Sequence, residues 1–318
     1  MKNLFKTLTL TCALTLGSFF MTGCNNGKKL IGIIQFGTHE SLNDCYNGMV
    51  KGLQDGLGDE FDNYTIDRQN SNFDASTSAA QANTFVSKNV SIIGAIATPS
   101  AMAAASAAKG SIPVVYCAVS DPVSAGLSTM KNVTGSSDLL DYDSQLDLIK
   151  AFIPTVSKIG VLYTLNEANS VSQIESLTVK AQAKGIEIVR QAITNANEIP
   201  TATDTLLAKD IDCLTNLTDN TVVGALDIIL AKTNAKKIPV FGSEIDQVKG
   251  GCLASASLDY VSLGEQTGAI MAKVLKGEAT ASNDIAIQID SSFNCYSAKV
   301  AEALGITLPD VSSMRNVD

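Results

Sequence analysis

From residue 30 onward, short apolar runs alternate with stretches in which apolar residues recur every three or four positions. Runs of β-branched and aliphatic residues predict buried strands, and the longer period predicts amphipathic helices. The first half of the pattern places strands over Leu30–Gln35, Tyr64–Gln69, Ser91–Ile96 and Pro113–Ala118. Helices over Ser41–Leu57, Ser76–Lys88 and Ser100–Lys109 separate them. After a helix over Asp143–Phe152 the alternation restarts, with strands over Lys158–Tyr163, Glu187–Gln191, Ile211–Thr215 and Pro239–Phe241. Helices over Ala168–Lys184, Ile199–Ala208 and Thr221–Asn234 lie between these. A helix over Ser262–Lys276 follows, opened by Ser262-Leu263-Gly264-Glu265, which has the form of a capping box. Strand-like segments near Ile285–Ile289 and Phe293–Tyr296 and a helix near Ser297–Leu304 end the pattern.

Regular alternation of buried strands and helices predicts an α/β fold with parallel sheets. Ile112-Pro113-Val114-Val115-Tyr116 and Ile238-Pro239-Val240-Phe241-Gly242 each begin the fourth strand of a half. The chain therefore reads as two doubly wound α/β lobes with a central ligand cleft and about three crossings, near 141–143, 255–257 and 280–284. The expected division gives residues 30–142 plus 256–280 to the first lobe and 143–255 plus 281–318 to the second.

Ahead of this pattern, Lys2 and Lys6 precede an apolar run from Leu8 to Met21. That run has the length of a signal-peptide core and is short for a membrane span. It ends in Met21-Thr22-Gly23-Cys24, which resembles a bacterial lipobox. The expectation is a lipoprotein signal over residues 1–23, lipidation at Cys24, and a polar tether over 24–29. The protein would then be exported and held to the cell membrane, on its outer face, by the lipid.

Composition narrows the chemistry. Lys plus Arg number 23 against 32 Asp plus Glu, a net charge of −9. Nucleic-acid affinity rests on phosphate neutralisation, so this balance argues against such a partner. The chain has a single His, and its cysteines form no C-x-x-C pair. No metal site and no cofactor is expected, and a His-based catalytic triad has nothing to build on. Cys45, Cys117, Cys213, Cys252 and Cys295 remain beyond Cys24; their number is odd, and Cys117 and Cys213 lie in strand-like runs as small core residues.

In open α/β sheets ligands bind beyond the carboxyl ends of the strands. There the sequence offers Phe36 and His39 after the first strand, Thr98 and Ser100 at a helix start, and Asp121. The second lobe offers Tyr163, Asn169, Ser170, Asp219, Asn220 and Asp246. Thr98 and Ser100 at a helix N-terminus suit an anion. Asp121, Asp219 or Asp246 suits an ammonium, and Phe36, Tyr116 or Tyr163 could face a ring, though Tyr116 equally suits the core. Each polar residue also suits an N-cap.

Ile31-Gly32-Ile33-Ile34-Gln35, Ala97-Thr98-Pro99, Val119-Ser120-Asp121-Pro122-Val123 and Val133-Thr134-Gly135 occur in order along the first half. Glu167-Ala168-Asn169-Ser170, Thr218-Asp219-Asn220-Thr221, Pro239-Val240-Phe241-Gly242-Ser243 and Leu263-Gly264-Glu265-Gln266-Thr267-Gly268 continue the series. Together they resemble the ABC-transporter substrate-binding lipoproteins of the tryptophan/tyrosine-binding type, which have the type I periplasmic-binding-protein-like fold. Ser120 stands where Thr is commoner, and Thr38 where an acid is more usual. The resemblance implies a clamp that closes on an aromatic amino acid (tyrosine, tryptophan or phenylalanine) and delivers it to an ABC permease driven by its ATPase. The alternatives are a binding protein for another small polar solute, or a surface sensor or adhesin. No P-loop, G-x-S-x-G or H-E-x-x-H occurs, so an enzyme is not expected.

Overall fold

A computed structural model describes residues 27–289 and 293–318; the expected signal segment and Cys24 lie outside the described residues. The first lobe runs β1 (Lys29–Gln35), α1 (Glu40–Leu57), β2 (Tyr64–Asn70), α2 (Ala75–Ser87), β3 (Ile92–Ile96), α3 (Thr98–Ala108), β4 (Val114–Cys117) and β5 (Val133–Ser137). The second runs α4 (Tyr142–Phe152), β6 (Lys158–Thr164), α5 (Ala168–Ala183), β7 (Glu187–Ile193), α6 (Ile199–Leu207) and β8 (Cys213–Thr215). It continues through α7 (Asn220–Val223), α8 (Leu226–Ala235), β9 (Val240–Phe241), α9 (Ile245–Lys249) and β10 (Ala254–Ser257). The chain then passes through α10 (Tyr260–Leu275), β11 (Ile287–Gln288), β12 (Phe293–Tyr296), α11 (Ala298–Leu304) and β13 (Arg315–Asn316).

The first sheet has the order β11-β5-β4-β3-β1-β2, all parallel. Strand alternation divides its side chains between two cores. Ile31, Ile33, Val115 and Cys117 pack with Met49, Leu53 and Met271 of α1 and α10, while Ile34, Ile93, Val114 and Tyr116 pack on the α2–α3 side. This is why β1, β3 and β4 read as apolar runs. The second lobe holds β7-β6-β8-β9. Leu253 N–H donates to Val240 O at 2.7 Å and Gly242 N–H to Ala254 O at 3.0 Å, so β10, and through it β12 and β13, extends that sheet.

The chain passes between lobes after β5 and again before α10. α10 then lies backbone to backbone on α1: a β-carbon on Gly52 would come 2.0 Å from Glu265 O, and one on Gly264 would come 2.4 Å from Cys45 O. The third crossing differs from the expected position near 280–284. β11 adds parallel to β5, Ile287 opposite Ser136, and keeps the chain on the first lobe until after Ile289.

Other differences have local causes. The strand at Val133–Ser137 escapes a hydropathy reading because four of its residues are Thr, Gly or Ser, yet all five are buried. The helix expected over Thr221–Asn234 breaks at Gly224–Ala225 into α7 and α8. Ser262 does not cap its helix. Asp259 does, accepting from Ser262 N–H at 3.0 Å, and Glu265 meets Lys51 at 3.2 Å instead. The five cysteines from Cys45 to Cys295 are buried free thiols.

Candidate functional site

A cavity lies between the lobes, at the carboxyl ends of the strands. Its first-lobe wall is His39, Ser41 and Leu42 at the start of α1, Ala118 after β4, Asp138 after β5, and Tyr260 opening α10. The second lobe adds Asn169 of α5, Thr218 and Asn220 after β8, Val223, and Ser243, Glu244 and Gln247 after β9. Among the described residues no Lys or Arg lines it.

Two of the lining residues are buried carboxylates. Ser120 Oγ and Tyr260 Oη donate to Asp138 at 2.9 and 2.8 Å. Burial still pushes the Asp138 carboxyl up to about 6. Glu244 caps α9, accepting from Asp246 N–H at 2.6 Å and Gln247 N–H at 2.8 Å. Burial, then the nearby Asp246 charge, pushes Glu244 up to about 7. A carboxylate held above its usual range by desolvation is stabilised by any cation that enters beside it.

Hydrogen bonds across the cleft converge on the same cavity. Gln173 Nε2 donates to Thr218 Oγ1 at 2.5 Å, and Thr218 Oγ1 lies 3.0 Å from Ser120 Oγ, whose own proton goes to Asp138. At the rim, Ser172 Oγ of α5 donates to Asp121 at 2.6 Å. His39 Nε2 lies 3.4 Å from Asn220 Oδ1. Phe73 covers one side of this contact. Its ring is parallel to His39, 4° between planes and 6.4 Å between centroids, and edge-on to Phe36 at 6.0 Å. Asn72 and Phe73 both have left-handed backbones, φ 50° and 62°, which turn the ring out of the β2–α2 loop.

Of the residues read from sequence, His39, Asn169 and Asn220 line the cavity. The others are placed elsewhere. Asp219 is fully buried and its oxygens serve the protein: Oδ1 accepts from Thr164 Oγ1 (2.8 Å) and Val222 N–H (2.9 Å), Oδ2 from Thr164 N–H (2.6 Å) and Ser170 Oγ (2.7 Å). This corrects the ammonium role expected of Asp219, and it accounts for Ser170 as well. Asp121 binds Ser124 and Ser172 at the rim, and Asp246 pairs with Lys249 at 2.8 Å. Thr98 and Ser100 are buried outside the cavity lining, Ser100 3.5 Å from Ser78 of α2, so no anion site forms from them there. Tyr163 packs half-buried against the α4–α5 core, and Phe36 belongs to the core beneath α1.

Sequence reading missed Asp138, Glu244, Tyr260, Thr218, Ser243 and Gln247. Glu244 had a usable signal, since it follows the strand at Phe241 just as Asp246 does; the cap geometry decides between them. Asp138 follows the unread strand β5.

The chain matches the family described as ABC transporter substrate binding protein over residues 30–316. It is 39% identical over 295 residues to a protein named tyrosine-binding protein from Clostridioides difficile, covering 86% of this chain and 85% of that one. Among solved structures it is similar to an ABC domain in complex with L-Trp from Streptococcus pneumonia, with TM-score 0.84 and 33% identity over 89% of this chain and 96% of that one. It is also similar to the ligand-free, open structure of a substrate-binding protein with adhesive properties from Clostridium difficile. There the TM-score is 0.67 and the identity 35%, over 91% of this chain and 99% of that one.

Proposed function

Since this chain belongs to the ABC transporter substrate-binding protein family, we propose that its cleft binds a free aromatic amino acid and delivers it to a membrane permease. The observation that carries the ligand class is the pair Asp138 and Glu244, two buried carboxylates lining one cavity that, among the described residues, no Lys or Arg lines. An ammonium supplies the missing charge. Leu42, Ala118, Val223 and the Tyr260 ring give the apolar wall that a side chain needs. The names of the C. difficile and S. pneumonia relatives, tyrosine-binding and in complex with L-Trp, support an aromatic ligand. At near-equal identity the chain superposes better on the L-Trp complex than on the open structure, which supports reading these lobes as closed.

The reading includes export and lipidation at Cys24, so that the clamp stays beside its permease and ATPase on the outer face of the membrane. It includes no chemical turnover. A thermal-shift screen over amino acids, nucleosides, polyols and small organic acids tests it. The melting temperature rises with aromatic amino acids, and the added ligand is recovered unchanged. A rise with polyols alone, or a converted product, contradicts the reading. For the anchor, C24S leaves the protein unlipidated and free of the membrane fraction; persistence there after signal removal contradicts it.

A further inference from the structure

Two polar atoms in the cavity wall have no partner among the described residues: His39 Nδ1 and Asn169 Oδ1, both buried. A buried polar atom left unpaired carries a desolvation penalty, so a wall built this way is completed by what enters it. Which kind of group completes it follows from Glu167. This buried carboxylate accepts from Asn220 N–H (3.0 Å), Asn220 Nδ2 (2.6 Å), Thr221 N–H (2.9 Å) and Thr221 Oγ1 (2.7 Å).

Because Asn220 gives its Nδ2 to Glu167, the atom it turns to His39 is Oδ1, an acceptor. His39 Nε2 therefore carries the ring proton, and Nδ1 is left as an unpartnered lone pair on a residue that lines the cavity. Burial lowers the His39 pKa to about 4, so the ring stays neutral. Asn169 is oriented in the same way. Its Nδ2 donates to Thr218 O at 2.8 Å and leans on Glu167 at 3.4 Å, which leaves Oδ1 as a second acceptor. The ligand ammonium is drawn to the charged Asp138 and Glu244 ahead of these neutral atoms.

We propose that His39, with Asn169 beside it in the wall and Glu167 as the positioning residue, selects ligands whose side chain carries an O–H or N–H donor. This rests on the amino-acid reading above and deepens it: a phenol or an indole satisfies the acceptor, and a plain phenyl ring leaves it unpaired. A site built to take a hydrogen bond rejects the analogue that lacks it more strongly than an apolar pocket rejects a size change.

The test is calorimetric titration of wild type, H39F and H39Q with L-tyrosine, L-tryptophan and L-phenylalanine. H39F keeps a flat ring against Phe73 but removes the acceptor; H39Q restores one. The wild type favours L-tyrosine over L-phenylalanine by about tenfold or more. H39F loses that factor for L-tyrosine while its L-phenylalanine affinity stays within about twofold, and H39Q recovers part of the preference. Equal wild-type affinities for the two, or equal loss of both in H39F, overturns the assignment. Failure of all three ligands with folded wild type overturns the amino-acid reading, and this assignment with it.

Discussion

Phe73 of the first lobe and Gly224 of the second meet so closely that a β-carbon on Gly224 would stand 2.8 Å from the ring's Cζ. The ring cannot easily retreat, since Phe36 and His39 flank it. Gly224 has an ordinary helical backbone, φ −62°, so alanine there is not strained in its backbone; its methyl meets Asn220 O at 3.1 Å within the second lobe and, more tightly, the Phe73 ring of the first. G224A is expected to weaken ligand binding by about tenfold while unfolding in urea changes by less than about 1 kcal/mol. Small-angle scattering with saturating ligand checks the cause: the variant stays more extended than the wild type.

The two carboxylates give the second expectation. Hydrogen bonds to a charged group contribute roughly 1.5–3 kcal/mol, so D138N and E244Q each weaken amino-acid binding by about tenfold to over a hundredfold. Each also puts an amide NH2 where an oxygen accepts, from Ser120 or Tyr260 at Asp138 and from Asp246 or Gln247 N–H at Glu244, a cost of about 1–3 kcal/mol that relief of the desolvation raising these carboxyls offsets in part. Calorimetry and urea melts on the same preparations separate the two effects.

At Asp219 the cost is expected in stability alone. In D219N the amide NH2 replaces an oxygen that takes protons from Thr164, Ser170 or Val222, all buried contacts. The cost is about 1–3 kcal/mol of stability. Ligand affinity in the folded variant stays within a few-fold of wild type, because Asp219 does not line the cavity. A hundredfold affinity loss at unchanged urea midpoint would return Asp219 to the site.

The architecture was legible because its strands and helices follow hydrophobic periodicity, and β1, β3 and β4 of the first sheet read as buried apolar runs. β5 was not legible: Thr134, Gly135, Ser136 and Ser137 carry no apolar signal, and Ser136 is buried by a 2.5 Å hydrogen bond to Thr267 of α10, a contact 131 residues away. The site was legible only to the level of the strand ends. His39, Asn169 and Asn220 lie where that rule points. Whether a strand-end carboxylate faces the cleft or caps a helix depends on the neighbouring donors. Asp219 and Asp121 are taken up by hydroxyls and N–H groups within their loops and α5, whereas Asp138 keeps a face on the cavity.

The empty clamp should also respond to pH. With the lobes closed, Asp138 and Glu244 sit at about 6 and about 7, above their hydrated values, so the closed form binds more protons than an open, hydrated one. His39, lowered to about 4, opposes this as one group against two. Stabilisation of the empty closed form is therefore present at acid pH and is lost as pH rises through 6 to 7. Carboxylates lowered by accepted hydrogen bonds, such as Asp141 and Asp212, titrate below this window. Scattering without ligand should show a more compact protein at pH 5 than at pH 8, and saturating ligand should remove the difference. Greater compaction at pH 8 contradicts the assignment.

The most direct test of the ammonium site is a pair of titrations at pH 7.5, L-tyrosine against 3-(4-hydroxyphenyl)propanoate, which differs only in lacking the amino group. With Asp138 and Glu244 waiting for a cation, L-tyrosine binds and the amine-free analogue binds at least about a hundredfold more weakly. Equal affinities would contradict the account, since two buried carboxylates would then have gained nothing from the charge they lack.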